Sequence, residues 1–293
     1  MLRIALPGGK SLESGVRGLF ADAGISIVRK PRSTHLVTFP DYPALSEGIF
    51  AKPPRVPVLI ERGAYDLGIT GIDVVRESGA DVEILTQLAI GRSTSSGETS
   101  VVLYCAADDP IKSVKRIPRG AKVLSEYPNL TRAFFAERGM RVKVVGSPGS
   151  SEAEVPELYR FGVVLSETGN SLRENNLRVL DTITSSATCL VAKRSALRHK
   201  GRRRAIEALQ SVLIGTIEAR GKVLLVMNVS AKGLPKVLKN LPALGSPTIA
   251  PLADGGSSVS VVVTKAERNR LIGELKGLGA SGFISHDLGI IVP

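Results

Sequence analysis

The sequence predicts a mixed α/β fold for about the first 200 residues and a smaller α+β domain for the rest. In the first part, short apolar segments are repeatedly followed by Gly-rich turns and amphipathic helices. This pattern is typical of α/β proteins with mainly parallel sheets, here in two lobes. The composition shifts at Arg220-Gly221, and the segments beyond it follow the order β-α-β-β-α-β. That order predicts a ferredoxin-like domain.

Hydrophobic patterning places the elements of the first part. Apolar runs predict strands over 2–6, 65–71, 101–105, 122–124, 142–145, 161–165, 179–183 and 188–192. Helices are predicted to begin near Ser11, after Val74 and at Leu172, with another over 131–138. Pro128-Asn129 starts that last helix, and Asn129 is its expected N-cap.

The same patterning assigns the C-terminal part. Strands are expected over 223–229, 246–252, 258–263 and 282–284, and helices over 234–240 and 266–278.

Charge and composition restrict the class of partner. The formal net charge is +12, yet the chain has no Trp, five Tyr and seven Phe. Proteins that bind nucleic acid usually add stacking aromatic residues, and a small polyanionic ligand also suits a basic protein. Charge alone does not decide between these two classes of partner; the partners expected from the whole sequence are small molecules, with no nucleic acid. No apolar run approaches the ~20 residues of a membrane span, and the N-terminus lacks a signal peptide pattern. Cys105 and Cys189 are isolated and show neither a disulfide pattern nor the spacing of metal ligands. We therefore expect a reducing, cytoplasmic setting and no dedicated metal site built from side chains.

Three Gly-rich turns follow apolar strands and are candidates for ligand binding. The most complete is Ser166-Glu167-Thr168-Gly169-Asn170-Ser171-Leu172, which we call the Thr-Gly loop. Its backbone N–H groups and hydroxyls suit a phosphate, although a plain strand-to-helix connection would look similar. The others are Gly8-Gly9-Lys10-Ser11, which lacks the spacing of a P-loop, and Gly68-Ile69-Thr70-Gly71. Turns at the carboxyl ends of strands predict one shared crevice.

Several motifs, taken in order, resemble the ATP phosphoribosyltransferase family in its long form with a C-terminal regulatory domain. They cover essentially the whole chain and comprise Val56-Pro57, Gly63 to Asp73, Ser125 to Thr131, Gly149-Ser150-Ser151-Glu152, Glu167 to Leu177, Met227-Asn228-Val229, Ser246-Pro247-Thr248 and Gly279 to Gly282.

The resemblance implies a fold, a reaction and roles for individual residues. The fold is a bilobal core like that of periplasmic binding proteins plus a ferredoxin-like domain. The reaction joins ATP to phosphoribosyl pyrophosphate (PRPP) with Mg²⁺, releases pyrophosphate and is inhibited by histidine. Catalytic roles fall on Glu152 and Glu167, and PRPP binding on the Thr-Gly loop. The resemblance assigns ATP binding to Lys10, Ser11, Gly68, Thr70, Gly71 and Tyr127, and histidine sensing to Thr248 and Ala280.

The resemblance also implies domain limits and assembly. One lobe is expected over 1–95 with 180–219, the second over 96–179, and the regulatory domain over 220–293. A homo-oligomer, either a dimer or a hexamer, is expected.

Two departures from the family pattern leave an alternative open. The family usually has acidic residues where this chain has Arg160 and Val164, positioned for the ribose hydroxyls of PRPP. Their loss favours a catalytically weak paralogue that binds nucleotide, PRPP or histidine and acts as a regulatory subunit. A crevice containing Glu152 and Glu167 would favour the enzyme, whereas one filled by Arg160 or Phe161 would favour the paralogue. A bilobal solute-binding protein is a third alternative, which the C-terminal domain and the missing export signal oppose.

Overall fold

The computed structural model describes residues 1–90, 98–149, 151–242 and 246–292, without the side chains of Lys10 and Ser11. The chain divides into two compact units, residues 1–210 and 211–293.

The described part of the first unit alternates strands and helices. Its elements are β1 (Leu2–Pro7), α1 (Lys10–Asp22), β2 (Val28–Arg29), β3 (Leu36–Thr38), β4 (Leu45–Ala51), α2 (Arg55–Glu61), β5 (Leu67–Gly71), α3 (Ile72–Ser78), β6 (Glu83–Gln87), β7 (Glu98–Ala106), β8 (Lys122–Ser125), α4 (Pro128–Glu137), β9 (Lys143–Gly146), β10 (Phe161–Ser166), α5 (Asn170–Glu174), β11 (Leu177–Ala192), α6 (Arg194–Arg198) and α7 (Lys200–Ala219). Helix α7 continues into the second unit.

Strand β11 connects the two lobes of this unit. The strand order is β2-β3-β4-β1-β5-β11-β7-β10-β8-β9, and β6 also pairs with β11. The first part of β11, from Leu177 to Ala187, pairs with β7, and its last part, from Thr188 to Ala192, pairs with β5. The lobes therefore meet where β11 exchanges one partner strand for the other.

Apolar residues of each lobe form a separate core. In the first lobe they surround β1, α2 and β5 and include Ala5, Val56 and Ile60. In the second lobe, Phe134, Phe135 and Phe161 are central to the cluster. Burial of these side chains supplies the main driving force for folding and fixes the strand ends that border the crevice between the lobes.

The second unit has the topology expected of a ferredoxin-like domain. After the end of α7 come β12 (Lys222–Val229), α8 (Leu234–Asn240), β13 (Thr248–Pro251), β14 (Ser257–Thr264), α9 (Lys265–Gly277) and β15 (Ala280–Asp287). The strands form an antiparallel sheet in the order β13-β14-β12-β15. Alternate residues of β12 and β14 pack beneath the two helices. Thr264 caps α9 in a reciprocal capping box with Glu267.

The predicted fold class is confirmed, and three details of the prediction were wrong. The strands expected over 179–183 and 188–192 form the single strand β11. The sheet is mixed, because β10 and β11 run antiparallel to β7. The expected N-cap role of Asn129 is also wrong, since α4 begins at Pro128 and the backbone N–H groups of Asn129 and Leu130 donate to the carboxylate of Glu77 in α3. Among the described residues, no helix combines the length and apolar character needed to cross a bilayer.

Candidate functional site

A cavity of about 580 Å³ lies within the first unit, beside the strands that join its lobes. Its wall contains Gly71, Tyr127, Glu152 and the whole Thr-Gly loop, residues 166–172. The cavity thus collects all seven residues predicted for PRPP, both predicted catalytic carboxylates and two of the residues predicted for ATP.

Internal hydrogen bonds shape the Thr-Gly loop. Gly169 has a φ of +71°, a left-handed conformation that glycine adopts without strain. The backbone N–H of Gly169 donates to Ser166 Oγ at 3.0 Å, and that of Asn170 donates to Thr168 Oγ1 at 3.4 Å. The Arg173 guanidinium donates to Thr168 O at 3.0 Å. The loop therefore already engages two N–H groups, and Arg173 places a positive charge against its backbone.

Glu152 is directed at the same loop. It lies in a 3₁₀ turn, Ser151–Ala153, and Ser171 Oγ donates to its Oε1 at 3.1 Å. Glu167 lines the cavity as well. The structure therefore brings the two predicted catalytic carboxylates to one crevice beside the Thr-Gly loop.

A buried carboxylate that had no assigned role from the sequence joins the two lobes. Asp73, at the start of α3, is 3% exposed. Tyr127 Oη donates to its Oδ2 at 2.7 Å, and Ser186 Oγ donates to its Oδ1. Burial, together with the negative charge of Asp73, raises the pKa of Tyr127, so its hydroxyl stays protonated as a donor. All three residues line the cavity.

Helix α3 makes two further contacts across the crevice. The carboxylate of Glu77 accepts the first N–H groups of α4, each at 2.9 Å, and its backbone oxygen accepts from Asn129 Nδ2. Arg76 donates to Thr184 Oγ1 and Ser185 O on β11. Helix α3 is therefore hydrogen-bonded both to α4 of the opposite lobe and to β11, the strand that connects the lobes.

Two of the residues predicted for ATP, Gly68 and Thr70, are described by the structure and do not line the cavity. Thr70 is buried and donates its hydroxyl to Pro53 O at 3.3 Å, behind the wall that Pro53 and Pro54 form. Gly68 is packed in β5, where an added Cβ would lie 2.7 Å from Val56 Cγ1. The side chains of Lys10 and Ser11 lie outside the described part of the chain, although Leu12 and Gly15 of the same helix line the cavity.

The two departures from the family pattern have different positions. Arg160 lies directly before β10, where its guanidinium holds both oxygens of Asp109, with Nε–Oδ2 2.7 Å and Nη2–Oδ1 3.1 Å. Phe161 is in the core of the second lobe. Neither residue contributes to the cavity wall, whereas Val164 does. The crevice is therefore not filled by Arg160 or Phe161.

Thr248 and Ala280 occupy opposite edges of the sheet in the second unit. Thr248 is exposed on β13, and Ala280 is 3% exposed on β15 within the apolar core. One copy of this sheet does not bring the two residues together.

The remaining wall residues were missed by the sequence reasoning. They include Leu12, Gly15, Pro53, Pro54, Asp73, Val74, Ile90, Thr99, Ser186, Ala187 and Thr188. One available signal was the polar run Thr184-Ser185-Ser186 directly before the apolar last part of β11. Within the described ranges, no three His, Cys, Asp or Glu side chains are arranged to hold a metal ion.

Comparison with protein-family models gives two matches. The model described as "ATP phosphoribosyltransferase" matches residues 52–215, and that described as "HisG, C-terminal domain" matches residues 219–289.

Curated relatives match over the full length. An ATP phosphoribosyltransferase of Koribacter versatilis is 35% identical over 292 residues, which cover 99% of each chain. The enzyme of Methanothermobacter thermautotrophicus is also 35% identical and covers 100% of this chain and 99% of its own.

Solved structures extend the comparison to the fold. The ATP phosphoribosyl transferase (HisG:HisZ) complex from Thermotoga maritima aligns with a TM-score of 0.61 and 26% identity, over 74% of this chain and 99% of that chain. Tv2483 bound to L-arginine aligns with a TM-score of 0.50 and 11% identity, over 74% and 85% of the two chains, and so supports the fold alone.

Proposed function

The chain belongs to the ATP phosphoribosyltransferase family, and on that premise we propose that it condenses ATP with PRPP in the first step of histidine biosynthesis. N1 of the adenine forms a bond to C1 of PRPP, while the bond from C1 to the pyrophosphate oxygen breaks. The lone pair of N1 makes the new bond and pyrophosphate leaves with the electron pair of the broken one. Because the adenine nitrogen is itself the nucleophile, no nucleophilic side chain is needed. The protein contributes positioning and charge, which are the main sources of rate enhancement when the substrates supply the reacting atoms.

The observation that carries this proposal is the shared position of Glu152, Glu167 and the Thr-Gly loop in one cavity. In the proposed complex, the 5-phosphate of PRPP lies at the loop, whose hydroxyls and adjacent Arg173 suit an anion. Apolar wall residues, among them Pro53, Pro54 and Ile90, suit the faces of an adenine ring. Both substrates then occupy the same crevice, as group transfer requires.

The carboxylates also fit the magnesium ion that the family uses. Mg²⁺ is commonly held by one or two carboxylates together with substrate phosphates, and Glu152 and Glu167 provide that donor set in the cavity. These two residues would hold the ion that neutralises the departing pyrophosphate. Glu152 is already oriented by the Ser171 hydroxyl, which donates to its Oε1.

Feedback by histidine and assembly complete the proposal. Thr248 and Ala280 lie on opposite edges of the C-terminal sheet, so one of each would come together where the β13 edge of one copy meets the β15 edge of another. The proposed regulatory site therefore forms in a homo-oligomer, a dimer or a hexamer, of a cytoplasmic enzyme. Exposed strand edges are suited to such pairing.

The regulatory-subunit alternative depended on Arg160 and Val164. Arg160 is paired with Asp109 outside the cavity, so its positive charge does not occupy the substrate crevice. The named relatives are transferases over their full lengths. The enzyme is thus the better supported function, and Val164 is an altered residue that does line the wall.

The direct test measures phosphoribosyl-ATP formed from ATP, PRPP and Mg²⁺, with and without histidine. We expect turnover that histidine suppresses, and a loss of about 10²-fold in kcat/KM for Glu152→Gln, because the carboxylate charge acts where pyrophosphate departs. Glu157→Gln is the matched control, since Glu157 is exposed and absent from the cavity wall. A folded chain that binds histidine but forms no product would establish the regulatory alternative.

A further inference from the structure

We propose that Tyr104 is a positioning residue for the reaction, because through Ser151 it holds the turn that carries Glu152 against the Thr-Gly loop. The inference rests on the proposed function and adds a residue to it that the cavity wall does not include. Tyr104 lies on β7, fully buried and one layer behind the wall.

A chain of hydrogen bonds links Tyr104 to the carboxylate. Tyr104 Oη donates to Ser151 Oγ at 2.9 Å, and both groups are buried. The Ser151 backbone N–H and hydroxyl each lie 3.4 Å from Glu126 Oε1. Ser151 is the first residue of the 3₁₀ turn, and Glu152 follows it directly and accepts from Ser171. Fixing Ser151 therefore limits where the Glu152 side chain can reach.

The packing around Tyr104 makes this contact rigid. Its ring lies in an apolar cluster with Val155 behind the turn and with the wall residues Val164 and Leu172. Burial raises the pKa of Tyr104, so the hydroxyl remains a proton donor throughout the ordinary working range. A buried donor that is always protonated and within hydrogen-bond distance holds its acceptor in one place.

Gly162 provides the space that this arrangement needs. Gly162 pairs with Tyr104 across β10 and β7, and a Cβ at Gly162 would lie 2.2 Å from Tyr104 Cζ and 2.4 Å from its hydroxyl oxygen. Glycine thus lets the phenol lie flat over the strand and extend its hydroxyl to Ser151. The position of the Tyr104 hydroxyl therefore depends on both the tyrosine and the glycine.

The test compares Tyr104→Phe with the unmodified full-length chain. Phenylalanine keeps the ring, and Ser151 keeps its contact with Glu126, so folding is preserved. We expect kcat/KM for PRPP to fall by about 3- to 10-fold, which is the range for one lost neutral hydrogen bond. Tyr159→Phe is the matched control, because Tyr159 packs against the same cluster without lining the cavity. It should change neither turnover nor the unfolding midpoint.

A double-mutant cycle separates positioning from packing. If Tyr104 acts through Glu152, Tyr104→Phe has less than about a twofold effect in a Glu152→Gln background. An equal fold-loss in both backgrounds, or no loss at all, would overturn the proposal. If the unmodified chain makes no product, the proposed function fails independently. In that case the role of Tyr104 is tested by measuring the affinity for PRPP in a calorimeter. The proposal requires Tyr104→Phe to bind PRPP more weakly than the unmodified chain, and an unchanged affinity would overturn it.

Discussion

Replacing Arg160 tests whether this departure from the family pattern has a structural role. The guanidinium holds Asp109 through two parallel hydrogen bonds of 2.7 and 3.1 Å. The Asp109 side chain is 8% exposed and the Arg160 side chain 45% exposed. Breaking a buried pair costs about 3–5 kcal/mol, and breaking an exposed pair less than about 1 kcal/mol. This half-exposed pair lies between, so Arg160→Ala should lower the free energy of unfolding by about 2 kcal/mol.

The loss should depend on pH in a defined direction. Arg160 holds the pKa of the Asp109 carboxyl below its ordinary value, chiefly through its hydrogen bonds. A carboxyl with a lowered folded pKa stabilises the protein above its unfolded pKa of about 3.9, and this contribution disappears as pH falls through the folded pKa. The free energy of unfolding of Arg160→Ala should therefore lie furthest below that of the unmodified chain at neutral pH. The gap between the two free energies should shrink below about pH 4.

Urea unfolding with parallel kinetics provides the assay. Arg203→Ala is the control, because its ion pair with Glu207 is exposed on α7 and should contribute little to the free energy of unfolding. KM for PRPP should stay within about twofold in Arg160→Ala, since Arg160 does not line the cavity. An unchanged unfolding free energy combined with a large rise in KM would refute the reasoning. Arg160→Asp should destabilise further, because it sets a second carboxylate beside Asp109.

Three further substitutions test the site and its regulation. In Asp73→Asn an amide group replaces one of the oxygens that accept from Tyr127 and Ser186, so we expect a loss of about 2 kcal/mol in urea unfolding together with a lower kcat. Gly169→Ala forces a side chain onto a φ of +71°, and should raise KM for PRPP while KM for ATP is unchanged in steady-state kinetics. Thr248→Glu should weaken inhibition by histidine about tenfold in a dose–response assay without altering uninhibited turnover, because it adds an unpaired charge to the edge proposed for the regulatory site.

The sequence predicted most of the elements, and its main error marks the crevice. Strand β11 was divided in two because the polar run Thr184-Ser185-Ser186 interrupts its apolar pattern. These residues are polar because they contact α3 at the junction of the lobes, where Ser186 donates to Asp73 and Thr184 accepts from Arg76. The pattern of apolar residues along a strand reflects its burial in an apolar core. Prediction of a strand from that pattern therefore fails where the strand crosses a polar crevice.

The candidate site was predictable where its residues are contiguous. The Thr-Gly loop forms one uninterrupted motif, and Glu152 lies within another. Asp73 and Ser186 are separated by 113 residues and Arg160 and Asp109 by 51. No local pattern connects such pairs, because their contacts depend on sheet topology. That is why Asp73 had no predicted role and the pairing of Arg160 with Asp109 was not predicted.

The close contact between Gly162 and Tyr104 also restricts the order in which substitutions can accumulate. With 2.2 Å between a Cβ at position 162 and the tyrosine ring, a side chain there and a tyrosine at position 104 are mutually exclusive. A lineage that reached the present pair from a larger residue at 162 had to acquire glycine first or both changes together. The reverse path has its own required order, since Tyr104 must become smaller before Gly162 can be replaced. Each of the two positions therefore restricts which substitutions the other can accept, in either direction of change.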